Sequence, residues 1–101
     1  MKTIQVKELI KTLEEHVRNN DKEAIYNMMD KSFKEKVELK RYMLLQKYTL
    51  NIGTQIKIIK LYNQMHESCM VRTSSKVDGK TVYKNIVLVE EDGEMKIKHI
   101  L

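Results

Sequence analysis

Glu90-Glu91-Asp92-Gly93-Glu94-Met95-Lys96-Ile97 decides the fold. Asp92-Gly93 stands between two runs with strand character. A two-residue type I′ turn needs positive φ at both central positions, which Asp-Gly supplies at little steric cost. Lys80 to Glu90 and Glu94 to Leu101 are therefore expected as adjacent antiparallel strands. Asp78-Gly79 repeats the signal one strand earlier and predicts a hairpin between Glu67–Val77 and Lys80–Glu90. Upstream, Ile56-Lys57-Ile58-Ile59-Lys60-Leu61-Tyr62 reads as a further strand, so the second half of the chain is a four-stranded antiparallel meander.

Before Gly53 the period is that of helices. From Thr3 to about Arg18, Ile4, Val6, Leu9, Ile10, Leu13 and Val17 recur on one helical face, with Thr3 able to cap the first turn. Asn19-Asn20-Asp21 breaks this helix, and Asp21 can cap a second one carrying Ala24, Ile25, Met28, Met29 and, at its end, Phe33. A third is expected from near Ser32 through Val37, Leu39, Met43, Leu44 and Leu45 toward Leu50, with Gly53 to stop it. Tyr48-Thr49-Leu50-Asn51-Ile52 is also compatible with extended chain. The fold class is thus α+β: three N-terminal helices packed on the meander, in a single domain over residues 1–101.

The composition fits a globular chain, 42% hydrophobic and 33% charged over 101 residues. With one Phe, five Tyr and no Trp, the core must be filled by Ile, Leu, Val and the seven Met, whose flexible thioethers fit irregular gaps. The net charge of +5 admits a polyanionic partner. Cations nevertheless alternate with Glu and Asp, as in Lys34-Glu35-Lys36-Val37-Glu38-Leu39-Lys40-Arg41, which is the pattern of a solvated face and argues against nucleic acid. The single cysteine, Cys69, excludes an intramolecular disulfide and an all-cysteine metal site and fits a reducing compartment. No stretch approaches the ~20 apolar residues of a membrane span, and the N-terminus lacks the apolar core of a signal peptide. A cytoplasmic protein without membrane contact is expected.

The third strand is apolar on both faces. Val82, Ile86 and Leu88 alternate with Tyr83, Val87 and Val89. One face belongs to the core. Since the helices cover that one, the other calls for a second copy of the sheet, and a homodimer is expected through Tyr83, Val87 and Val89 with Ile59 and Leu61.

Two motifs carry a family resemblance: the helix start Asn20-Asp21-Lys22-Glu23-Ala24-Ile25, and the closing hairpin Val87-Leu88-Val89-Glu90-Glu91-Asp92-Gly93-Glu94-Met95-Lys96-Ile97. In this element order the chain resembles the nuclear-transport-factor-2-like superfamily, also called the cystatin-like or ketosteroid-isomerase-like cone. The resemblance implies a strongly curved sheet whose concavity holds the long helices around a cone-shaped pocket, and an outer sheet face used for dimers. Met95 stands where many members carry Trp. The chain is also short for the family, implying a shallow or closed pocket. Enzymes of this superfamily place an acid or base carboxylate inside an apolar cone, with a Tyr or protonated Asp donating to the developing oxyanion.

No such carboxylate is evident. Asp78 and Asp92 are turn residues, and Glu67, Glu90, Glu91 and Glu94 fall at strand ends. His99 is expected on the strand face of Met95, Ile97 and Leu101, His66 opens a strand, and His16 falls late in the first helix. The three His show no paired ligand spacing, so neither a metal nor a cofactor is expected. Cys69, sharing a strand face with Val71, is expected as a small inward residue. Tyr26 and Tyr42 can place hydroxyls in an apolar cavity, and with Met29, His99 and Cys69 they are the expected pocket residues.

The first functional expectation is a non-enzymatic module, dimeric through its outer sheet face, that binds a small apolar ligand or a protein partner between helices and sheet. The alternative is a small isomerase, dehydratase or cyclase using His99 or His66 as acid or base. A third is nucleic-acid binding through Lys57, Lys84, Lys96 and Lys98.

Overall fold

Val6, Leu9, Ile10 and Leu13 fall on one stripe of a helix, and all are buried in α1 (Thr3–Arg18) of the computed structural model, which describes residues 3–65 and 68–101. Thr3 is already helical, and Ile4 lies off the stripe at 62% exposed. The predicted break follows. Asn20 takes a left-handed conformation (φ 53°), with Asn20 N–H donating to Val17 C=O (3.1 Å) and Asp21 N–H to His16 C=O (2.9 Å). That pair of bonds is the Schellman arrangement, which satisfies carbonyls at the end of a helix. Asp21 then opens α2 (Lys22–Asn27) by accepting from Ala24 N–H at 3.1 Å.

The expected second helix stops at Asn27, and the expected third is broken into two short helices. Met28–Asp30 runs instead beside the last strand: Ile97 N–H donates to Met28 C=O (2.8 Å) and Asp30 N–H to Ile97 C=O (2.7 Å). Asp30 caps α3 (Lys31–Lys36) by accepting from Phe33 N–H at 3.0 Å. Val37 is extended (φ −129°, ψ 110°), and its C=O accepts from the Tyr26 hydroxyl at 2.7 Å. A carbonyl engaged from the side in an extended residue ends the helical run there. After α4 (Leu39–Leu44) the chain makes only a 3-10 turn, Gln46–Tyr48. Helices of six residues have little stability of their own, so these depend on packing.

The meander forms as the hairpin signals require, in the order β1 (Lys57–Met65), β2 (Ser68–Val77), β3 (Lys80–Glu91), β4 (Glu94–Ile100), all antiparallel. Both turns have positive φ at both central residues, 51° and 79° at Asp78-Gly79 and 50° and 80° at Asp92-Gly93. The inner face carries Cys69 and Val71 of β2, Ile86 and Leu88 of β3 and Ile97 of β4, all within 1% of full burial, and the α1 stripe packs into the same cluster. Two polar residues share this face and are satisfied. Thr73 donates to Lys84 C=O (3.0 Å), and Ser75 Oγ accepts from Gly53 N–H (2.9 Å). Among the described residues, no helix is long and apolar enough to cross a membrane.

Bulges set the faces of the edge strands. In β1 an extra residue at Ile59 lets Ile58 pair with Thr73 and Lys60 with Arg72. Leu61 consequently pairs with Val71 and packs on the core, not on the outer face expected for it, while Ile59 is 51% exposed. In β4, Ile97 pairs with Leu88 but His99 with Val87, so Lys98 is the extra residue. His99 therefore leaves the register of Met95 and Ile97, where alternation had placed it, and is exposed. Tyr83, Val87 and Val89 alternate with the buried Ile86 and Leu88 as expected, Tyr83 being 55% exposed. His66 and Glu67 lie outside the described residues.

Candidate functional site

The short helices bring together aromatic side chains that are far apart in sequence. Tyr26 of α2, Phe33 of α3, Tyr42 of α4 and Tyr48 of the 3-10 turn form one cluster. Tyr26 lies 5.2 Å from Tyr42 by ring centroids, Phe33 meets Tyr42 edge-on at 5.9 Å and Tyr48 at 6.2 Å, and Tyr42 stacks on Tyr48 at 5.6 Å. Such geometries add to the area the rings bury. Ammonium groups decorate the cluster: Lys22 Nζ is 5.4 Å from the Tyr42 ring, Lys34 Nζ 5.9 Å from Tyr26 and Lys47 Nζ 5.1 Å from Tyr48.

Tyr42, Tyr48, Thr49 and Leu50 separate two hollows. The smaller, of about 80 Å³, lies toward the α1–α2 junction at Val17, Asn20 and Ile25. The larger, of about 300 Å³, lies between α3, α4 and the ends of β3 and β4. Met29, Phe33, Tyr42, Tyr48 and Leu50 supply apolar wall, Lys47, Lys84 and Lys98 supply cations, and Ile100 and Leu101 close it. Among the described residues, no Asp or Glu lines this cleft. Its size is at the lower end for small-molecule sites. A broader groove of about 560 Å³ on the other side of Met28, between α1 and the β4 hairpin, mixes Glu8, Glu94 and Lys96 and lacks aromatic wall.

Tyr42 is the unusual member of the wall. It is only 2% exposed, and its hydroxyl has no hydrogen-bond partner among the described residues. Burial pushes its pKa up to about 12, so the phenol is held neutral. Tyr26 differs. Its hydroxyl is committed to Val37 C=O, which makes it a strut between α2 and the end of α3, and it does not line the cleft.

Of the other expected pocket residues, Met29 lines the cleft and is buried. Cys69 is a core residue 1% exposed, away from the cleft, and burial pushes its thiol up, which makes it a poor nucleophile. His99 borders the cleft, but from an exposed position opposite Val87. The one buried carboxylate among the described residues, Asp30, escaped notice in the sequence. Its oxygens are engaged by Phe33 N–H (3.0 Å) and Ser32 Oγ–H (2.8 Å), which is cap chemistry. No three of His, Cys, Asp and Glu converge among the described residues.

The four lysines considered for nucleic acid do not share a surface. Lys84 and Lys98 border the cleft, Lys57 pairs with Ser74 on the other face of β2 from the core, and Lys96 lies 3.2 Å from Glu94. Sequence reasoning missed Phe33, Tyr48 and Lys47 as wall residues. A signal existed: three of the five tyrosines and the only phenylalanine fall between positions 26 and 48. Comparisons with models of known protein families, with curated proteins and with solved structures find no match to this chain.

Proposed function

We propose that this protein is a binding module that takes a small ligand in the aromatic cleft between its short helices and the ends of β3 and β4. The observation that carries this reading is Tyr42, a buried aromatic residue on the cleft wall whose hydroxyl lacks a partner. A buried hydroxyl left without any partner costs about 1 to 3 kcal/mol. Hollows flank the Tyr42 ring on two sides, so a ligand or a water entering either is the natural partner for its hydroxyl. The wall supplies apolar area and pre-placed rings, and its one imidazole, His99, borders it from an exposed position rather than from within the apolar wall, so recognition fits better than proton transfer.

The helices-first order, the four-stranded meander and both hairpin turns support a nuclear-transport-factor-2-like cone, with the cleft in its mouth. Self-association through the outer sheet face is the accompanying reading, supported by the uncovered Tyr83, Val87 and Val89. Titration with 2-naphthylmethanol and with 2-naphthoate, followed by two-dimensional NMR, tests the binding function. Perturbations should centre on Met29, Phe33, Tyr42 and Tyr48; if neither these compounds nor octanol and octanoate move these resonances, the function is wrong.

A further inference from the structure

Resting on the cleft as a ligand site, the charge of its lining narrows what enters it. We infer that the ligand is an apolar monocarboxylate, its hydrocarbon or aromatic body against Phe33, Tyr42 and Tyr48 and its carboxylate among Lys47, Lys84 and Lys98. Over the whole chain, Lys and Arg number 19 against 14 Asp and Glu, and along the sequence they alternate. At the cleft that alternation fails: Lys47, Lys84 and Lys98 line it, and among the described residues no Asp or Glu does, which sets three cations against at most the α-carboxylate of Leu101.

These lysines come from three separate elements, the 3-10 turn, β3 and β4, so the clustering is a product of the fold rather than of a local run. Lys98 is the extra residue of the β4 bulge, a device that re-aims side chains near binding sites. With cations in excess beside an apolar wall, an anion that enters gains charge-assisted hydrogen bonds while its body meets the rings. A fully polar anion would leave the ring faces unused. A doubly charged phosphate, better suited to a rigid nest of backbone amides, would meet only flexible ammonium groups. The volume of about 300 Å³ limits the body to a small ring system or a medium-length chain.

Four probes test this: 2-naphthoate with 2-naphthylmethanol, and octanoate with octanol. Each pair holds the body constant and changes the charge. At low ionic strength at least one acid should bind tenfold or more tightly than its alcohol. The better acid of the two identifies an aromatic or an aliphatic body. In the double variant Lys84→Gln/Lys98→Gln, checked by an unchanged melting midpoint, the tenfold preference should vanish. Equal binding of acid and alcohol, or a preference that survives the double substitution, overturns the carboxylate assignment and leaves the cleft as a ligand site. Failure of all four probes to bind overturns the reading beneath it.

Discussion

At the scale of single residues, Tyr42 sets stability against function. Its ring is well packed by Tyr26, Phe33 and Tyr48, whereas its hydroxyl is buried with no partner among the described residues. Tyr42→Phe keeps the ring contacts and removes the hydroxyl, so stability at neutral pH should hold or rise by about 1 kcal/mol. The pH dependence has a definite sign. With its pKa raised to about 12 in the folded protein and near 10 in the unfolded chain, the titration of the phenol changes no stability below pH about 10. Between about pH 10 and 12 the unfolded chain ionises first, and up to about 2 to 3 kcal/mol is lost. Urea unfolding at neutral and alkaline pH checks this by comparison with Tyr42→Phe, since other groups titrate equally in both proteins. The variant should lose less stability on going alkaline; parallel losses would show that the hydroxyl is not the buried group it is taken to be.

At the scale of elements, Gly53 shows how a correct residue can be assigned the wrong reason. The sequence suggests a helix stop, yet the preceding helical turn ends at Tyr48 and Gly53 has another task. A Cβ there would lie 2.0 Å from Lys76 C=O, so glycine lets the strand-like segment before β1 press directly on the backbone of β2. Gly53→Ala should therefore cost at least about 2 to 3 kcal/mol, because a backbone carbonyl cannot step aside as a side chain can. A denaturation midpoint within experimental error of wild type would sink that account. The strands were legible because alternation and Asp-Gly turns are local signals, each sufficient within a few residues. The stretch from Met28 to Leu50 was not, because its breaks depend on distant partners: Ile97 draws Met28–Asp30 alongside β4, and the Tyr26 hydroxyl occupies Val37 C=O. One-residue bulges defeat alternation for the same reason, which is why His99 and Leu61 changed faces. Within the site, Tyr42 and Met29 could be read from helical stripes, but the lysines that give the cleft its charge converge only in three dimensions.

At the scale of the whole molecule, the unanswered surface is the outer face of the sheet. Met70 of β2 lies between Tyr62 of β1 and Val87 of β3, and with Val89 these form an apolar field that no helix covers among the described residues, with Tyr83 beyond the Arg72–Asn85 pair. Cations surround it. Lys57 and Lys60 enter from β1, and Arg72 stands 5.2 Å from the Tyr83 ring with its guanidinium donating to Asn85 Oδ1 at 3.2 Å. Two such faces brought together gain apolar burial but oppose like charges, so self-association should respond to salt in the direction opposite to an ion-paired interface. Raising ionic strength from about 0.1 to 1 M shortens the screening length from about 10 to about 3 Å and should tighten the dimer. Val87→Lys, which removes apolar area at the centre and adds a further cation, should be monomeric at every concentration where wild type associates. Sedimentation equilibrium of both proteins at low and high salt decides the matter. A wild type that stays monomeric in high salt, or a dimer that weakens as salt rises, would assign the outer face to something other than a second copy of this chain.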